Sequence, residues 1–63
     1  MTKAESNMQI IKLLAEGKVQ KEIAKILGLS YDTIVDRIYQ MKKEYGCTTQ
    51  TELVVKVIKE KVL

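Results

Sequence analysis

The 63 residues contain no proline, and each of the three glycines, Gly17, Gly28 and Gly46, follows a segment with helical apolar spacing. A left-handed C-terminal helix cap costs glycine less than any other residue, so all three read as helix ends. They cut the chain into four helical pieces and predict an all-α fold, a four-helix bundle. The first piece places Ile10, Ile11, Leu13 and Leu14 on one side, with Met8 and Ala15 flanking. Two capping-box patterns precede it, Thr2-x-x-Glu5 and Ser6-x-x-Gln9, which leaves its start open by one turn. The second piece, about Gln20 to Leu27, turns Ile23, Ala24 and Leu27 inward. Ser30 reads as the N-cap of the third, its hydroxyl set to accept the N–H of Asp32 or Thr33. That helix runs to about Tyr45, with Ile34, Ile38, Met41 and Tyr45 on a buried stripe. A fourth helix covers about Thr49 to Lys61.

The link between the second and third helices carries the most information. Gly28-Leu29-Ser30 is too short to lay two helices fully antiparallel. It holds them at a steep angle, the geometry of a helix-turn-helix, here from about Gln20 to Tyr45. Ala24 fits this reading because a small side chain lets the helices approach. Leu29 fits as the plug that seats the turn in the core.

Composition excludes several function classes. One domain, residues 1–63, is the most this length predicts, without a separate sensor or catalytic unit. Cys47 is the only cysteine and histidine is absent, so no disulfide framework is available. Metal ligation would rest on carboxylates and one thiol, a poor set for zinc or copper. No Ser-His, Cys-His or metal-water pair can be assembled, so no catalysis, cofactor or metal is expected, and no small-molecule ligand either. Uncharged apolar runs reach about three residues, far short of a membrane span, and no signal-peptide core follows Met1. A reduced, cytoplasmic protein is the expectation. Cys47 reads as a small buried hydrophobe ahead of a redox sensor.

Charge is distributed unevenly. The net value is +3, from 11 Lys and Arg against 8 Asp and Glu. Residues 17–30 carry Lys18, Lys21 and Lys25 against Glu22, a local +2. Residues 31–47 carry Arg37, Lys42 and Lys43 against Asp32, Asp36 and Glu44, a local zero.

Taken in order, Leu13-Leu14-Ala15-Glu16-Gly17, Lys21-Glu22-Ile23-Ala24, Leu27-Gly28-Leu29-Ser30-x-x-Thr33-Ile34, Ile38, Tyr45-Gly46-Cys47 and Thr51-Glu52-Leu53-Val54 resemble the LuxR/GerE-type helix-turn-helix domain. The resemblance covers nearly everything from Ile10 onward without a gap. It implies a winged-helix-like effector domain without the wing, in its stand-alone form. It also implies a third helix in the DNA major groove and a fourth helix that pairs two protomers over a two-fold site. Double-stranded DNA is the implied partner and transcriptional regulation the implied role. The chain departs from the family's pattern at four positions. Val35 stands where Lys or Arg is usual, Arg37 where His or Tyr is usual, and Asp32 where a basic or small residue is common. Val19 replaces the Ser or Thr cap of the second helix, which should cost ~1 kcal/mol or leave that helix start frayed.

The candidate DNA-contacting residues follow from the helical wheel and from this resemblance. Asp32, Asp36, Tyr39, Gln40 and Lys43 turn away from the buried stripe of the third helix, with Val35 and Arg37 on the flanks. Asp32 suits the macrodipole of the first turn. Asp36 either pairs with Lys43 or Arg37 or accepts from cytosine N4, while Arg37 or Gln40 could read guanine or adenine edges. Tyr39 could reach a phosphate or base, or simply cover the helix. Lys21 and Gln20, by resemblance, flank the DNA backbone, and Ser30 and Thr33 offer hydroxyls and N-terminal N–H groups to a phosphate. In the fourth helix Leu53, Val54, Val55, Val57, Ile58 and Val62 spread over about half the circumference, more than the ~100° a core-facing stripe needs. The wheel leaves open which of them face the core and which a partner, or whether a fraying helix end simply exposes a few valines. The resemblance, with its two-fold dimer, makes Val55, Ile58, Lys59 and Val62 the candidate homodimer surface. The reading is a sequence-specific DNA-binding regulator acting as a homodimer. Its rival, motivated by the net-neutral third helix, is a protein-interaction module that keeps the fold and modulates a related regulator by dimerising with it.

Overall fold

A computed structural model describes residues 2–62, with side chains to Glu60. Among these residues the secondary structure is four helices: α1 (Lys3–Ala15), α2 (Gln20–Leu27), α3 (Tyr31–Tyr45) and α4 (Gln50–Val62). The all-α expectation holds.

Helix ends lie where local chemistry sets them. Thr2 caps α1 in a complete capping box: its Oγ1 accepts the Glu5 N–H, and the Glu5 carboxylate accepts the Thr2 N–H, both at 3.1 Å. Of the two starts open in the sequence, the earlier one is used. Val19 has no side chain to cap α2, yet that start is not left open. The Glu22 carboxylate accepts the Val19 N–H at 3.1 Å, half of a capping box. Ser30 caps α3 by accepting the Thr33 N–H at 3.1 Å. Thr49 caps α4 through the Glu52 N–H at 3.1 Å, and the Glu52 carboxylate in turn accepts the Thr48 hydroxyl at 2.8 Å.

Gly28, at φ 68°, closes α2 in a Schellman motif. The Leu29 N–H donates to the Ala24 carbonyl at 2.9 Å and the Gly28 N–H to that of Lys25 at 3.3 Å. This pairing swings Leu29 back onto the core while the chain turns toward Ser30. Gly46 repeats the arrangement after α3, the Cys47 N–H reaching the Lys42 carbonyl at 2.8 Å.

The core is one cluster drawn from all four helices: Ile10, Ile11 and Leu14; Ile23 and Ala24; Ile34, Ile38 and Met41; Leu53 and Val57. Leu13, Leu27, Leu29, Tyr45, Cys47 and Val54 pack around it. α1 and α3 each pack against the other three helices, whereas α2 and α4 do not pack on one another. Among the described residues those two are linked by side chains, the Gln20 amide donating to Gln50 Oε1 at 2.7 Å. Cys47 is half-buried, as a small apolar residue would be, with its thiol toward the Tyr45 carbonyl.

The two capping carboxylates give stability an acid limb. Hydrogen bonds from Thr2 hold the Glu5 carboxyl below its ordinary range, and hydrogen bonds from Thr48, then Thr49, do the same for Glu52. A depressed folded-state pKa means that the unfolded chain takes up protons first. The contribution is therefore complete above the usual glutamate pKa of about 4.3 and is lost as pH falls through the lower folded values. Urea unfolding at successive pH values should show midpoints falling below that range, with a flatter limb in Glu52→Gln. An acid limb unchanged in Glu5→Gln and Glu52→Gln together would remove both caps from the account.

Candidate nucleic-acid interface

The side of α3 opposite its core stripe is open. Asp32, Val35, Asp36, Tyr39, Gln40 and Lys43 are all exposed, and Tyr31 joins them at the first turn. Lys43 sits over the Tyr39 ring, its Nζ 5.2 Å from the centroid, so the two side chains steady one another on that surface. Ser30 is exposed at the start of α3. Its hydroxyl shares a 2.8 Å hydrogen bond with that of half-buried Thr33. That pair holds both oxygens at the positive end of the α3 dipole, where an anion is favoured. Lys21, in the first turn of α2, is exposed.

Two of the sequence candidates are engaged elsewhere. Gln20 is half-buried and spends its amide on Gln50. Arg37 is also half-buried. Its Nη1 donates to Ser6 Oγ and, at 3.1 Å, to Asn7 Oδ1, both on α1. Ser6 is buried at 5 % exposure and donates its own hydroxyl to the Lys3 carbonyl at 3.0 Å. The Arg37 bridge fixes α1 against α3 thirty-one residues away in sequence. A hydrogen bond to a charged donor contributes about 1.5–3 kcal/mol. Arg37→Ala is therefore expected to lower the urea midpoint by a corresponding amount. A midpoint equal to that of the parent would show that the bridge carries no stability.

On α4, Leu53 and Val57 are fully buried, Val54 is half-buried, and Val55 and Ile58 remain 49 % and 39 % exposed. Val55 and exposed Lys59 line an open groove of about 490 Å³ with Cys47, Thr49, Thr51, Glu52 and Lys56. Ile58 instead lines a second groove of about 470 Å³ between α1 and α4, with Met8, Ile11, Lys12 and Val57. Val55 and Ile58, three residues apart, are neighbours on the α4 surface, so the exposed apolar arc is continuous although the two side chains border different grooves. The Val62 side chain lies outside the described residues.

Ser6 and Asn7 carried no functional signal in the sequence beyond a competing cap pattern, and the Gln20–Gln50 pair carried none. Among the described residues no helix is long and apolar enough to cross a membrane. Among the same residues no three potential metal ligands cluster.

The family model for bacterial regulatory proteins of the luxR family matches residues 2–57. Neither the curated proteins nor the solved structures contain a significant match to the chain.

Proposed function

Because the chain belongs to the luxR family of bacterial regulatory proteins, we propose that it acts as a homodimer on a two-fold duplex site, each α3 in a major groove. A DNA-binding helix-turn-helix regulator is what the family membership gives. The dimer, the groove assignment and the residue roles are the proposed refinement, with residues 1–63 acting as one domain in the cytoplasm.

The exposed face of α3 is the observation that carries this reading. Asp32, Val35, Asp36, Tyr39, Gln40 and Lys43 stand on the side that the core leaves free, on a helix packed against all three others. Such a rigid, outward helix is the kind of element that enters a major groove. In this assignment Gln40 and Asp36 address base edges, adenine and cytosine N4 respectively. Lys21, Ser30 and Thr33 hold phosphates, and Lys43 and Tyr39 close the far end. Gln20 and Arg37, committed to Gln50 and to Ser6 and Asn7, act by positioning α2 and α3. Val55, Ile58, Lys59 and Val62 form the protomer contact.

Selection from a random duplex pool tests the reading. An enriched near-palindrome supports it, and no enrichment at low salt removes it. With the selected duplex, Lys21→Ala should weaken binding to every sequence alike and flatten the slope of log K against log salt by about 0.9. An unchanged slope would take Lys21 off the phosphate backbone.

The second reading, a module that modulates a related regulator by dimerising with it, is favoured by the zero local charge of residues 31–47 and by exposed Val55 and Ile58. It expects negligible DNA retention and a stable heterodimer.

A further inference from the structure

One exposed flank of α3 carries a feature that neither packing nor helix propensity requires. Tyr31, Val35 and Tyr39 follow one another at i, i+4 and i+8 and are 47 %, 40 % and 53 % exposed. Residues four apart stack on one helix face, so these three form a single apolar strip. The core of α3 is already filled by Ile34, Ile38 and Met41. β-branched and aromatic residues are also mediocre helix formers, so an exposed helix surface has no intrinsic use for them. Eight rises of 1.5 Å make the strip about 12 Å long, on a helix whose diameter of about 10–12 Å the B-DNA major groove admits.

A parallel strip lies one residue on: Asp32, Asp36 and Gln40, all exposed. Carboxylates are repelled by phosphates but match the amino donors on the groove floor. The face is therefore apolar on one side and hydrogen-bond accepting on the other, and it carries little of the charge that grips a backbone. In the major groove the one apolar group a base pair presents is the thymine C5-methyl.

On the proposed DNA-binding function we build a further assignment: we infer that Val35, flanked by Tyr31 and Tyr39, reads the thymine methyl group. Site choice then rests on methyl burial, in contrast to the basic side chain expected at this position. Lys43 holds the Tyr39 ring in place at one end of the strip.

The test uses the full chain and the duplex enriched by selection. Each thymine in turn is replaced by deoxyuridine, which deletes the methyl and leaves pairing intact. Affinity is measured by fluorescence anisotropy for the parent and for Val35→Ala. Val35 is exposed and alanine is the better helix former, so the variant keeps its fold, checked by circular dichroism. Burial of one methyl corresponds to about fourfold in affinity, hence roughly fifteenfold when both half-sites are changed. At one thymine per half-site the parent should lose that factor, Val35→Ala should lose a similar factor on the thymine duplex, and the two losses should not add. A uracil penalty equally large in Val35→Ala, or no penalty at any thymine, overturns the inference while DNA binding stands. If no duplex is enriched at all, the functional reading and this inference fall together.

Discussion

Ile34→Ala is expected to leave the chain largely unfolded at physiological temperature. Ile34 is fully buried near the start of α3, the helix that touches all three others. Removing such a side chain costs about 2–5 kcal/mol, because the lost transfer energy is joined by the cavity left behind. A core of this size supplies only about 3–5 kcal/mol of net stability. The loss and the reserve are therefore of the same order, and one truncation consumes most of the margin. Thermal unfolding followed by far-ultraviolet circular dichroism should show little cooperative transition, with partial recovery when saturating DNA binds the folded form. A melting temperature within about 4 °C of the parent would mean less than 1 kcal/mol rests on that contact. The central place of α3 would then be wrong.

The second large effect concerns assembly. Val55→Asp combined with Ile58→Asp should leave each protomer folded, since both side chains are exposed. It should nevertheless weaken binding to a two-fold duplex by about 10²–10⁴-fold, the gain that linking two sites ordinarily confers. Binding to a half-site duplex should be unchanged. Analytical ultracentrifugation should show the parent as a dimer and the double variant as a monomer. The two residues are neighbours on the α4 surface, so the single variants show how much of the contact each one carries. A double variant that keeps both its mass and its two-fold affinity would move the protomer contact off α4.

The fold was legible in the sequence to the level of helix ends. Gly28 and Gly46 mark backbone positions that only a left-handed residue satisfies, and Ser30 is a cap whose local donors are two, of which Thr33 is the one used. The Ile34, Ile38 and Met41 stripe follows from helical period alone, and all three residues are buried. These are local facts, decided within one or two turns of chain.

Long-range side-chain pairing was not legible. Arg37 stands on a flank of the α3 wheel, which leaves both a groove and a neighbouring helix within reach of a long side chain. Only the packing of α1 against α3 brings Ser6 and Asn7 to its guanidinium, and residues thirty positions apart leave no spacing to read. Gln20 and Gln50 are likewise brought together by tertiary structure alone. Ser6 shows how a local signal can mislead. Its cap pattern with Gln9 is genuine, but the Thr2 box starts the helix a turn earlier and places Ser6 inside it as a buried partner for Arg37. In α4 the wheel gave an apolar arc wider than a core needs. Contact with the other helices was required to assign Leu53 and Val57 to the core and leave Val55 and Ile58 outside it.

Amide chemical-shift mapping during titration with the selected duplex tests the central claim most directly, namely that α3 is the element inserted into DNA. The largest shifts should fall on Lys21, on Ser30 to Val35 and along Asp36, Tyr39, Gln40 and Lys43, while Leu14 and the interior of α1 stay nearly still. Shifts confined to α4, or no shifts at stoichiometric duplex, would contradict the account and leave the protein-interaction reading in its place.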